Sequence, residues 1–123
     1  GLNKALALGS NGSLYATNRT NTYNTSYIFA IVDNGASGAV KWTDVWGDIA
    51  TIPSTLTAVT LGNDGTLYIT GDYGFFACVT DNGATYTNHY GFQAAPAGFS
   101  SPCSIGINNR VYYGGDHDLI IAI

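Results

Sequence analysis

The side chains able to do chemistry in this sequence are few, and most of them are carboxylates. Every acidic residue is an Asp: eight Asp face four Lys and Arg, for a formal charge of −4. Asp72 and Asp116 hold matching places in two repeated segments. A pair of carboxylates flanking a scissile bond is what glycoside hydrolysis needs. Matching places follow from repetition alone, however, so no residue is assigned a catalytic role. The densest polar run is Gly114-Gly115-Asp116-His117-Asp118. Carboxylate and imidazole both ligate divalent metals, but strand alternation puts Asp116 and Asp118 on one face and His117 on the other. The reading is a polar turn, with no metal site and no cofactor. His89 has no evident partner. Cys78 and Cys103 fall in strands of successive segments, where adjacent sheets would bring two thiols together as a candidate disulfide in an oxidising compartment; both also suit small buried positions. No Ser lies in a nucleophile elbow, and there is no phosphate loop.

The elements that must position these residues are strands. Glu and Met are absent and Lys is scarce, which removes good helix formers, while 16 Gly and nine Tyr suit turns and sheets. Leu8-Gly9-Ser10-Asn11-Gly12-Ser13-Leu14-Tyr15 returns as Leu61-Gly62-Asn63-Asp64-Gly65-Thr66-Leu67-Tyr68, and more weakly as Ile105-Gly106-Ile107-Asn108-Asn109-Arg110-Val111-Tyr112. Asn11-Gly12 and Asp64-Gly65 predict type I′ hairpins with both central residues left-handed. Asn108-Asn109 fills the same slot with residues that tolerate that conformation. Apolar strands follow over 27–32, 74–80 and 119–123. Asp33-Asn34-Gly35-Ala36 and Asp81-Asn82-Gly83-Ala84 then turn the chain into a fourth strand, around Trp42 and around Tyr86. Pro53, Pro96 and Pro102 fall in the linkers between units, where no ladder donor is needed. Residues 18–26 read as a polar loop inserted in the first unit.

At the Asp turns the sequence resembles a known family. Val79-Thr80-Asp81-Asn82-Gly83-Ala84-Thr85-Tyr86 is similar to the Asp-box of sialidase-like β-propellers, with Val79 in place of Ser and Tyr86 in place of Trp. In the first unit the box residues are Asp33 and Gly35, with an insertion before Trp42. The resemblance implies an all-β fold of antiparallel four-stranded blades. The units span about 5–57, 58–101 and a partial 102–123, about two and a half blades of a repeat region over 1–123 and short of a closed ring. It implies a structural role for Asp33, Gly35, Trp42, Asp81, Gly83, Thr85 and Tyr86 at the blade rim. A second resemblance is to quinoprotein-type blades, through Ala30, Asp33, Gly38 and Trp42; the second unit lacks that Trp.

A sialidase-like site would need several Arg and a Tyr–Glu pair. This chain has Arg19 and Arg110 and no Glu. The expected function is therefore a non-catalytic module that binds a glycan or protein or builds an assembly, at a virion surface or in a secreted, extracellular protein. The alternative is part of a glycoside hydrolase whose catalytic residues lie outside this chain. Tyr73, Tyr90, Asp72, Asp116 and His117 are the candidate ligand-binding residues, since tyrosine offers an apolar ring with a polar tip. Tyr15, Tyr68 and Tyr112 are equivalent and are expected between units. Asn24 and Asn18 lie in glycosylation sequons, Asn24 being the more accessible in the polar loop. Scattered basic residues argue against nucleic acid, and no apolar run approaches a membrane span. The apolar strand at 119–123 needs a neighbour. The expected partners are further blades in cis or identical chains in trans, as a homo-oligomer or filament.

Overall fold

The computed structural model describes residues 5–19, 26–46, 56–71, 75–93, 101–115 and 119–122. The chain is all-β and antiparallel, in three sheets. Sheet one runs β1 (Ala7–Leu8), β2 (Ser13–Arg19), β3 (Ser26–Asp33), β4 (Gly38–Trp46). Sheet two repeats it with β5 (Thr60–Leu61), β6 (Thr66–Gly71), β7 (Phe75–Asp81), β8 (Tyr86–Gln93). Sheet three contains β9 (Ser104–Ile105), β10 (Val111–Gly115) and β11 (Leu119–Ala122). Within each sheet, consecutive strands are neighbours. Among the described residues no helix is long and apolar enough to cross a membrane.

Register makes the repeat exact at the level of single residues. Tyr15 lies opposite Ala30, Tyr68 opposite Cys78 and Tyr112 opposite Ala122. Each ring also lies against the glycine that opens its hairpin: a Cβ on Gly9, Gly62 or Gly106 would come within about 3 Å of Tyr15, Tyr68 or Tyr112 Cε2 (2.9, 3.1 and 2.8 Å). A β-bulge interrupts the third and fourth strands at the same place in both complete sheets, leaving Lys41 and His89 as the extra residues. Beyond the bulge, Trp42 pairs with Ala30 as Tyr90 pairs with Cys78.

Several sequence expectations change here. Asp33 pairs with Gly38 and Asp81 with Tyr86, so the two Asp turns have the same length and nothing is inserted before Trp42. The counterpart of Trp42 is Tyr90, not Tyr86. The polar loop of sheet one starts later than expected, because Asn18 and Arg19 continue the ladder against Tyr27 and Ser26. The first two hairpins are not type I′: only Gly12 and Gly65 have positive φ, at 78° and 83°. Asn11 and Asp64 do not take positive φ, and their Oδ1 atoms accept the Ser13 and Thr66 amides at 2.9 and 3.0 Å, a local bond that competes with the two-residue turn. The third hairpin is the one with both central residues left-handed, Asn108 at 66° and Asn109 at 58°.

The sheets stack face to face in chain order. In each, strand alternation gives a front face and a rear face. The rear face of sheet one presents Tyr15, Ile28, Ala30 and Trp42 to the front face of sheet two, which presents Leu67, Ile69, Phe75, Ala77 and Val79; Leu56 and Val59 complete this core. The rear face of sheet two, with Phe76, Tyr68 and Cys78, meets Cys103, Val111 and Tyr113 of sheet three. Each large aliphatic side chain buried this way contributes about 1.5–3 kcal/mol. One polar bond repeats between sheets: Thr17 Oγ1 donates to the Thr57 carbonyl at 2.8 Å, and Thr70 Oγ1 to the Ser101 carbonyl at 2.6 Å.

Candidate functional site

The two Asp turns fold alike. Asp33 Oδ1 accepts the Gly35 amide at 2.7 Å and Asp81 Oδ1 the Gly83 amide at 2.8 Å. The Asn34 amide donates to the Ser37 carbonyl and the Asn82 amide to the Thr85 carbonyl, closing each turn. Gly35 and Gly83 supply the positive φ, 85° and 92°. An Asp at the first position is needed because its short carboxylate reaches the amide two residues on.

Their surroundings differ completely. Asp33 is exposed, whereas the Asp81 side chain is only 3% exposed. It crosses from the front of sheet two into the rear of sheet one, where it is the centre of a polar hub. Lys41 Nζ donates to Asp81 Oδ2 at 2.8 Å, Tyr15 Oη to the same oxygen at 2.7 Å, and Trp42 Nε1 to Asp81 Oδ1 at 2.8 Å. Asn11 Nδ2 adds a bond to Oδ2 at 3.2 Å, and Lys41 Nζ also donates to Ser13 Oγ at 2.8 Å. The bulge in β4 is what delivers two adjacent side chains, Lys41 and Trp42, to one face.

The electrostatics follow from this donor set. Burial alone would raise the Asp81 pKa, but the bonds from Lys41, Trp42, Tyr15 and the Gly83 amide outweigh it and hold the carboxyl well below the usual carboxylate range. Burial, then the hydrogen bond to Asp81, pushes the Tyr15 hydroxyl up. Tyr86 works in the opposite direction across the same interface. Its ring lies 5.0 Å from that of Trp42; burial, then a hydrogen bond to Asp44 of sheet one, raises its pKa. The aromatics of the turn region thus join two sheets rather than fix a corner within one.

The hub gathers Asp81, Gly83, Trp42 and Tyr86, and adds Tyr15, Lys41, Asn11 and Ser13, which the sequence offered no reason to connect. Thr85 stays at the turn through its carbonyl. Tyr15 is buried and Tyr68 half-buried, each packed against the next sheet, while Tyr112 is exposed among the described residues. Among the other candidates, Asp72, Tyr73, Asp116, His117 and Asn24 lie outside the described residues. Tyr90 is placed on β8 opposite Cys78. Asn18 is on β2, half-buried. His89 has a partner after all: its Nε2 lies 2.7 Å from Thr80 Oγ1. Cys78 and Cys103 share the cluster between sheets two and three but are free thiols. Burial pushes Cys103 up to about 12 and also raises Cys78. Among the described residues no group of His, Cys, Asp or Glu could hold a metal ion.

Chemically, a carboxylate so enclosed does not meet a substrate; it serves as an electrostatic bolt between sheets. Comparison with protein-family models and with curated proteins finds no match to this chain.

Proposed function

We propose that this chain is a run of β-propeller blades of the Asp-box kind, and that it acts as a non-catalytic structural or binding module of a secreted or virion-surface protein. The observation that carries this reading is the state of Asp81. It is a carboxylate with a depressed pKa, yet Tyr15, Lys41 and Trp42 already donate to its two oxygens and its side chain is buried, 3% exposed. A carboxylate that held a substrate would be open on one side. The face-to-face packing of consecutive four-stranded sheets, in chain order and with a repeated Thr-to-carbonyl bond, supports a blade-like arrangement. Binding of glycan or protein would fall to the exposed edges and loops rather than to the hub.

The test is enzymatic. Purified protein incubated with chromogenic sialosides and other model glycosides is expected to show no turnover above buffer, with Asp81→Asn indistinguishable from wild type in that assay. Turnover that scales with protein concentration and disappears in Asp81→Asn or Asp33→Asn would sink the proposal.

A further inference from the structure

The front face of sheet one is the counterpart, residue for residue, of the front face that sheet two buries. Leu14, Tyr27, Phe29 and Ile31 stand where sheet two has Leu67, Phe75, Ala77 and Val79. In sheet two those four are buried; in sheet one all four are only half-buried. Leu8 at 69% and Val40 at 59% exposure extend this face, and Tyr27 and Phe29 stack on it with ring centroids 5.8 Å apart. At its margin Asp33 holds the place of Asp81, its turn already formed. Among the described residues the Gly35 amide is its one hydrogen-bond donor. Sheet one therefore presents a formed key with no lock on it.

The lock is recognisable on sheet three. In the hub, Asp81 is received by the residue at the Tyr15 position of the preceding sheet and by a cation, Lys41, that lies against the Ser13 position. The same two positions carry Arg110, extended just before β10, and Tyr112 within it, two positions apart and so on one face. Both are exposed, and among the described residues the Lys41–Asp81 pair is the one salt bridge, so Arg110 has no carboxylate. The Ser13 position carries Thr66 in sheet two, so sheet three alone offers a cation there. A cation placed where the hub needs one complements the exposed Asp33.

We propose that the front face of sheet one is a docking surface for a second copy of this chain, which receives Asp33 on Arg110 and Tyr112 at the rear of its sheet three. The contact continues the interface already formed between sheets one and two. It rests on reading the sheets as successive blades. It is heterologous, front to rear, so it propagates from copy to copy and ends as a closed ring or an open filament.

Sedimentation velocity on the 123-residue chain tests it, from about 1 μM to about 1 mM, the affinities open to an interface of ordinary size. Wild type is expected to move from the 12.9 kDa monomer to larger species as concentration rises. Asp33→Lys and Arg110→Glu are each expected to weaken association about ten-fold or more, and the double variant to recover most of it, because the swapped charges again attract. Circular dichroism and thermal melting check that these exposed substitutions leave the fold intact. Wild type that stays monomeric throughout overturns the proposal, and so does association that either single variant leaves unchanged or that the double variant fails to restore. Glycoside turnover is a separate readout: its appearance would remove the non-catalytic reading without touching the association result.

Discussion

Asp81 shows how one residue type can take two roles in one chain. At position 33 the carboxylate closes a turn and stays in water; at position 81 the same turn carries its carboxylate into a dry interface. Removing one partner of a buried ion pair leaves the other uncompensated, at a cost of about 3–5 kcal/mol. Asp81→Asn is therefore expected to lower stability by that order in urea unfolding, while Asp33→Asn changes it by under about 1 kcal/mol. The pH dependence has a defined sign. Asp81 has a folded pKa depressed below its unfolded value of about 4, so its contribution is complete above that value and is lost as pH falls below it. The melting temperature of wild type should fall more steeply below about pH 4 than that of Asp81→Asn, which has no carboxylate to protonate. Parallel curves would remove Asp81 from the account.

Among the elements, the hairpins and Asp turns were largely legible in the sequence. Their signals are short-range: an Asp or Asn two residues before an amide, a Gly where φ is positive, alternation of apolar residues on either side. The errors came from competition between local bonds. Asn11 and Asp64 use their Oδ1 atoms on the Ser13 and Thr66 amides, and so the type I′ geometry is not adopted. The bulge at Lys41 could not be seen either, since the extra residue is defined only by its partner strand. Two glycines separate the kinds of constraint. Gly83 has φ of 92°, and a Cβ added there would meet nothing within 4 Å, so Gly83→Ala should cost about 1–2 kcal/mol through backbone conformation alone. Gly9 has ordinary φ, but its Cβ would lie 2.7 Å from Asn11 Oδ1 and 2.9 Å from Tyr15 Cε2. Gly9→Ala should therefore act through the hub. Chemical denaturation would show its cost shrinking in a Tyr15→Ala background, whereas that of Gly83→Ala would not.

Over the whole molecule, stability resides in the contacts between consecutive sheets. The buried cluster between sheets two and three gives a direct probe of that stack. Cys103 is buried with its pKa pushed up to about 12, and Cys78 is raised as well. Thiolate is the reactive form, so iodoacetamide at pH 8 should label native Cys103 far more slowly than the unfolded chain. Substitutions that loosen this interface, such as Phe76→Ala, should accelerate labelling, read by intact mass. Labelling as fast as in urea would mean that sheet three does not pack on sheet two in solution. Of the binding candidates, Asp72, Tyr73, Asp116 and His117 fall outside the described residues, and the hub formed elsewhere, from residues distant in the chain.

The sequence by itself determined the class of structure: strands instead of helices, a repeated hairpin, and two Asp turns that begin the last strand of each complete unit. Those features depend on residues a few positions apart, and neighbouring side chains with backbone bonds suffice to encode them. Only the tertiary structure decided which carboxylate matters. Asp33 and Asp81 sit in nearly identical local sequences, and what distinguishes them is that Asp81 meets the rear face of sheet one, whereas Asp33 is exposed. Tyr15, Lys41 and Trp42 meet Asp81 because sheet one precedes sheet two in the stack and a bulge turns two of its side chains to the same face. Burial then makes those bonds strong, since the water that would compete for them is excluded.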